Sequence, residues 1–198
     1  MALPKIRRHF SVQEYLELER KSLDQKNEYV NGEIFAMIGA SRRYNLIAAS
    51  VIRELGNRLK GRPCEVYPSD MRVQVNWRHL RRFFYPDVTV VCGEPRFADE
   101  HVDTLLNPTV IIEVLSASTE NYDRGEKFAS YRRLPSLQVY VLISQDRVSV
   151  ECYERAGDMW TFRELTDLDD SLALKAIDVE IPLREIYDRI EFEDEEAE

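Results

Sequence analysis

Two carboxylates stand where the chain is otherwise apolar. Asp87 follows Pro86 at the head of "YPDVTVV", and Glu113 lies inside "TVIIEVLS". An unpaired charge in a core strand is costly, so acids at such places call for a partner. Side chains alternate along a strand, so Glu113 and Leu115 share a face and Val114 points away. If the two strands are neighbours, Asp87 and Glu113 converge at one end of a sheet. Converging carboxylates repel unless a cation lies between them. Oxygen ligands of this kind suit a hard divalent ion, Mg2+ or Mn2+. Lys127, early in the helix expected after Glu113's strand, has a stem long enough to bring an ammonium to the same place. Two acids, a divalent ion and a lysine suit phosphodiester hydrolysis. The ion polarises the phosphate and acidifies a bound water, and the lysine orients that water or stabilises charge in the transition state. Uncatalysed hydrolysis is so slow that such a site must supply close to ~20 kcal/mol.

The elements that would position these groups can be read from local pattern. Ser11 with Glu14 predicts a capping box for a helix in "SVQEYLELERKS". "NEYVNGEIFAMIG" predicts a hairpin turning at Asn31-Gly32. Leu46, Ile47, Ser50, Val51, Glu54, Leu55 and Leu59 fall on helical spacing, with Gly61 as the stop. "CEVYPSDMRVQV" reads as a strand broken or edged at Pro68. "TVIIEVLS" is apolar on both faces and belongs at the centre of a sheet. Residues 93 to 108 are polar and irregular. Asp123 with Glu126 predicts a capping box for a helix reaching about Leu134, before Pro135. "LQVYVLIS" is a further strand, "VSVECYER" and "WTFREL" a meander, and "PLREIYDRI" a short closing helix. The expectation is one α/β domain over residues 1–190, with a mixed sheet, and an acidic, disordered tail at 191–198.

Bulk properties narrow the function classes. A chain of 198 residues with 44% apolar content suits one domain with a real core. No apolar run is long enough to cross a bilayer, and the N-terminus lacks the apolar stretch of a secretory signal. Cys64, Cys92 and Cys152 form no CxxC pair, so three free thiols in a reducing cytoplasm are expected. His9, His79 and His101 are scattered and suggest no metal cluster. The net charge of −9 speaks against a dedicated DNA-binding module, but setting aside the six acids of residues 191–198 takes it to −3. Arginine pairs at 7/8, 42/43, 81/82 and 132/133 leave room for a local basic groove.

The order "YPDVTVV", "IIEVLSAST", "DRGEKFASYRRLPSLQVYVLI" resembles the Uma-two family of restriction-endonuclease-like proteins, within the PD-(D/E)xK nuclease superfamily. The resemblance runs from "SVQEYLELE" through "NEYVNGEIFAM" and "RPCEVYPSDMRV" to "PLREIYD". It implies a restriction-endonuclease-like core, a mixed central β-sheet flanked by α-helices. It implies a metal-dependent endonuclease acting on DNA, working as a homodimer in the cytoplasm. By position, Asp87 matches the PD acid and Glu113 the second metal-binding acid. The usual lysine position, two residues on, holds Leu115, and Lys127 looks like its migrated replacement. Glu28 matches an N-terminal acid that joins such sites, and Asp70 a recurrent polar position of unassigned role. Where family members often carry His before Asn45, this chain has Tyr44, which puts that part of the site in doubt.

Each residue also has a plainer reading. Asp87 could cap a turn, Glu113 could pair with a structural arginine, and Lys127 alone could be a solvated helix residue. Glu28 could be a surface charge beside a hairpin, and Asp70 a partner for a nearby basic side chain. Tyr131 is expected to be a core aromatic with a bonded hydroxyl. Arg42 and Arg43 could hold phosphates or stand as a solvated pair. The rival function is a non-catalytic interaction or scaffold protein that kept the nuclease fold.

Overall fold

Ser11 opens the first helix, α1 (Val12–Lys21). Its hydroxyl accepts from the Glu14 amide while the Glu14 carboxylate accepts from the Ser11 amide, the capping box expected. The structure is a computed structural model and describes residues 9–37 and 39–192. Strands β1 (Asn27–Val30) and β2 (Glu33–Ala36) form the expected hairpin, turning at Asn31 and Gly32 with φ of 50° and 102°. A Cβ at 32 would also meet the ring of exposed His9, which would have to move aside. Ser41 caps α2 (Arg42–Leu59), its hydroxyl accepting from the Tyr44 amide at 3.0 Å. That helix buries Ile47, Val51, Leu55 and Leu59 along one stripe.

Strands then follow in quick succession: β3 (Cys64–Pro68), β4 (Arg72–Trp77), β5 (Leu80–Phe84), β6 (Val88–Cys92), β7 (Thr104–Leu105) and β8 (Val110–Leu115). A helical crossover comes next, made of α3 (Glu120–Tyr122), a π-helical turn (Asp123–Lys127) and α4 (Phe128–Tyr131). The chain closes with β9 (Val139–Ser144), β10 (Val150–Ala156), β11 (Met159–Leu165), β12 (Ser171–Leu174), β13 (Val179–Pro182) and α5 (Leu183–Ile186).

The central sheet is mixed, in the order β11-β10-β9-β8-β6-β3. Its parallel pair is β8 with β9, joined by the helical crossover; the other neighbours are antiparallel. Both strands of the parallel pair are buried at every position, as their apolar runs require. One face, with Val110, Ile112, Val114, Val139 and Val141, packs on α2, the β12–β13 hairpin and α5. The opposite face, with Ile111, Leu115, Tyr140 and Leu142, packs on Tyr131 and Leu134 of the crossover. Val73, Val75 and Phe84 meet that same face from a second sheet, ordered β2-β1-β5-β4-β7.

Three expectations are corrected, and one element was not foreseen. The segment read as one interrupted strand is two strands in different sheets, because after Pro68 the chain turns at Ser69–Asp70 and β4 pairs with β5 rather than β6. The helix after β8 starts at Glu120, four residues early: the Thr119 and Glu120 amides both donate to the Ser116 carbonyl. Asp123 therefore lies inside the helix and caps nothing. Cys64 and Cys92 are not free thiols. The β3–β6 register sets them opposite each other with Cα atoms 4.0 Å apart, and they are joined by a disulfide; Cys152 is free and buried. The β12–β13 hairpin went unread, since its short segments flank a single 3-10 turn and not a recognisable tight turn. Residues 193–198, most of the expected acidic tail, lie outside the described residues.

Candidate active site

Asp87, Glu113, Lys127 and Glu28 come together, each from a different part of the fold. The β6–β8 register pairs Val88 with Ile112, so one further step sets Asp87 opposite Glu113. Both acids then share the face that carries Thr89 and Ile111, toward the second sheet. Glu28 reaches across from β1, and Lys127 comes from the end of the π turn. The Lys127 ammonium lies 3.1 Å from Glu28 Oε1, 3.2 Å from Glu113 Oε1 and 3.3 Å from Asp123 Oδ1. All of these side chains are buried, with Glu113 2% exposed and Lys127 7%.

Neutral donors fix the acids from behind. The Tyr44 hydroxyl, in the first turn of α2, donates to Asp87 Oδ1, and the Val114 amide donates to Asp87 Oδ2 at 2.6 Å. The Tyr131 hydroxyl donates to Glu113 Oε1 at 3.2 Å, and the Tyr85 amide to Glu28 Oε1 at 3.4 Å. Tyr140 holds the crossover itself, donating to the Asp123 carbonyl at 3.0 Å. Asp123 Oδ1 is a buried atom with no hydrogen bond, although Lys127 lies within ion-pair distance.

The electrostatics follow from burial and from an excess of acid. Four buried carboxylates meet one ammonium. Burial pushes the Asp87 carboxyl up to about 6, against the Tyr44 hydroxyl, the Val114 amide and Lys127, which all favour the charged form. Complete burial raises Glu113 well above the usual carboxylate range; Lys127 opposes this, and Asp87, Asp123 and Glu28 add to it. Burial alone would favour a neutral Lys127, but Glu113 and Glu28 outweigh it and hold the proton far above the usual lysine value. Burial and then the Asp87 charge raise the Tyr44 hydroxyl, so that it stays a donor. The centre thus holds more negative charge than its lysine neutralises, and either protons or a cation must make up the difference.

Among the described residues, no group of three or more His, Cys, Asp or Glu side chains has the arrangement to hold a metal ion. The donors that are present are nevertheless of the hard, all-oxygen type. Mg2+ is commonly held by one or two carboxylates, the rest of its shell being water and phosphate oxygen. In chemistry, Asp87 and Glu113 fit that role.

Asp70 does not join the centre. It is exposed and pairs with Lys26, as its plainer reading had it. Arg43 donates to the Glu191 carbonyl at 3.0 Å and lies over the Phe192 ring. Tyr131 is the core aromatic expected, but its hydroxyl faces the centre. Asp123 was missed. Its signal was the spacing to Lys127, four residues on, which places an acid and a base on one helix face.

A mixed sheet with an acid at the mouth of one strand, a second acid in its neighbour and a lysine from the following helix defines a restriction-endonuclease-like protein. The Uma2 family model, described as "Putative restriction endonuclease", matches residues 12–184, and the chain belongs to that family. Two relatives come from Synechocystis sp. One, "Uncharacterized protein sll1609", is 39% identical over 77% of this chain and 85% of its own length. The other, "Uncharacterized protein slr1290", is 34% identical over 92% of this chain and 93% of its own. A solved structure from Anabaena variabilis, titled a "putative nuclease belonging to DUF820", superposes with a TM-score of 0.72. It covers 90% of this chain and 97% of that one at 15% identity, a likeness of fold.

Proposed function

We propose that this protein is a metal-dependent endonuclease that hydrolyses phosphodiester bonds in DNA. The observation that carries the reading is the meeting of Asp87, Glu113, Glu28 and Lys127 at one buried point with surplus negative charge. Asp87 and Glu113 would hold the ion, Mg2+ or Mn2+. When bound, such an ion polarises a phosphate and acidifies water. Tyr44 and the Val114 amide fix both oxygens of Asp87, so its carboxylate is oriented before substrate arrives. Lys127 stays protonated, and its ammonium stabilises negative charge that builds on the phosphate. Glu28 and Asp123 hold that ammonium in position. Action as a homodimer belongs to the same reading, as an enzyme cutting both strands of a duplex is served by two sites.

A second reading is a non-catalytic interaction or scaffold protein that kept the nuclease fold. Two observations favour it. The described residues contain no ready-made group of three metal ligands, and the buried Lys127 is already paired with Glu28 and Glu113. This reading needs nothing added to the arrangement described, whereas the first needs both an ion and a rearrangement of those pairs.

Nicking of supercoiled plasmid separates the two. The first reading expects wild-type protein to nick in Mg2+ or Mn2+ but not in EDTA, and Asp87→Asn and Lys127→Ala to lose the activity. No nicking above the level of these two variants would leave the second.

A further inference from the structure

Eight described arginines of this acidic chain are paired with carboxylates. Arg20, Arg53, Arg58, Arg72, Arg124, Arg163, Arg184 and Arg189 all stand within 4.0 Å of a carboxylate. Arg78, Arg82 and Arg133 are among the arginines that do not: among the described residues no carboxylate lies that close to any of them. They gather at one place. The guanidinium of Arg133 lies 4.2 Å from the Trp77 ring centre and that of Arg78 lies 4.5 Å from it. Arg82 donates to the Ser130 hydroxyl and, at 3.5 Å, to the Glu126 carbonyl. Its Nε is buried and has no hydrogen-bond partner. Beside them lies a groove of about 180 Å³ lined by Val75, Trp77, Leu80, Arg82, Ala129, Ser130 and Arg133; Arg78 stands outside that lining, on the Trp77 ring.

We propose that this groove, between the β4–β5 hairpin and the end of α4, is a phosphate clamp for a nucleic-acid strand, with Arg78, Arg82 and Arg133 as its anion-binding groups. A guanidinium stacked on an indole is held in one plane and loses little further freedom when its N–H fork meets a phosphate. Arg78 also sits at the two-residue tip of its hairpin with φ of 54°, a left-handed position usually given to Asn or Gly. The turn sets the Arg78 guanidinium against the Trp77 ring.

The groove lies on the same side of the β4–β5 hairpin as the buried centre. The register pairs Val75 with Arg82 and Val73 with Phe84, so both pairs face the crossover. Lys127 Nζ lies 6.0 Å from the Phe84 ring centre, and Arg82 stands two residues earlier on the same strand, about 7 Å away at ~3.4 Å per residue. Two of the arginine pairs visible in the sequence, 81/82 and 132/133, supply this surface. A strand lying in the groove would be led from the clamp toward Lys127. That direction rests on the endonuclease reading; binding itself does not.

The test is fluorescence anisotropy in EDTA, with a fluorescein-labelled 20-nucleotide single strand and with its duplex. The variant is Arg78→Asn with Arg133→Gln. Both residues are exposed, and Asn accepts the left-handed turn, so the fold is spared. Wild type is expected to bind at least one of the two probes at low salt. The double variant should bind at least tenfold more weakly, with the slope of log affinity against log salt smaller by about two. Arg147→Gln, an exposed arginine outside the groove, should match wild type. Binding and slope unchanged in the double variant would overturn the proposal, as would no binding by wild type. Tighter binding of labelled poly-glutamate than of either oligonucleotide would assign the groove to an acidic polypeptide and overturn it too. Binding without nicking in Mg2+ would remove the nuclease reading and leave the clamp. Nicking with unchanged binding by the variant would do the reverse.

Discussion

Lys127→Met removes the ammonium from the buried centre while keeping most of the side chain's volume. Glu28, Glu113 and Asp123 then lose the cation that stands 3.1, 3.2 and 3.3 Å from them. Removing one partner from a buried ion pair costs about 3–5 kcal/mol. For a chain of this length that lowers the melting temperature by roughly 6–20 °C. The loss depends on pH, and the sign follows from proton counting. Burial already raises Glu113 well above the usual range and Asp87 to about 6, and Lys127 lowers both. With the ammonium gone, both rise further. A carboxyl whose pKa is higher folded than unfolded binds more protons in the folded state. Its penalty is absent below the unfolded pKa of about 4 and grows as pH rises to the folded value. The variant should therefore show a smaller deficit at pH 5 than at pH 8. Urea unfolding of both proteins at the two pH values measures this. A deficit below about 1 kcal/mol at pH 8, or one that does not change with pH, would refute the assignment of Lys127 as the counter-charge of this centre.

Tyr44→Phe removes a donor that favours ionised Asp87, so the Asp87 carboxyl should titrate above about 6, as NMR would show. Its stability at pH 8 should fall by about 1.5–3 kcal/mol, the usual worth of a hydrogen bond to a charged group. Wild-type protein should lose stability as pH rises from about 4 to 6, because Asp87 must give up its proton over that window; a divalent ion at the centre should reduce that loss. Reducing Cys64–Cys92, which closes a separation of 28 residues, should lower stability by about 3–4 kcal/mol, read by unfolding with and without dithiothreitol. Gly32→Ala should destabilise by at least ~1–2 kcal/mol, because φ is 102° and the added Cβ meets the His9 ring.

The central residues were legible where chemistry and pattern disagreed. Asp87 and Glu113 stood out as acids in apolar strands, and antiparallel pairing of β6 with β8 then brought them together. The helix cap at Ser11 and the Asn31-Gly32 turn were local signals, met in the structure. What was missed depended on where elements start and which strands pair. Asp123 read as a cap because its pairing with Lys127 shows only once Ser116 and Thr119 start the helix early. The Cys64–Cys92 bond depends on the register of β3 against β6, which spacing alone does not reveal. The split between β3 and β4 was marked by Pro68, but no residue there says which sheet the following strand joins. Tyr44 looked like a defect in a familiar pattern; in place, its hydroxyl is the donor that holds Asp87.

The most direct measurement is anomalous diffraction from a crystal grown with Mn2+ and a short DNA duplex. The endonuclease account predicts a manganese peak on the carboxylates of Asp87 and Glu113, with the Lys127 ammonium drawn away from Glu113 toward a DNA phosphate. A DNA-bound crystal with no manganese at those two acids, and Lys127 still bonded to Glu28 and Glu113, would contradict it.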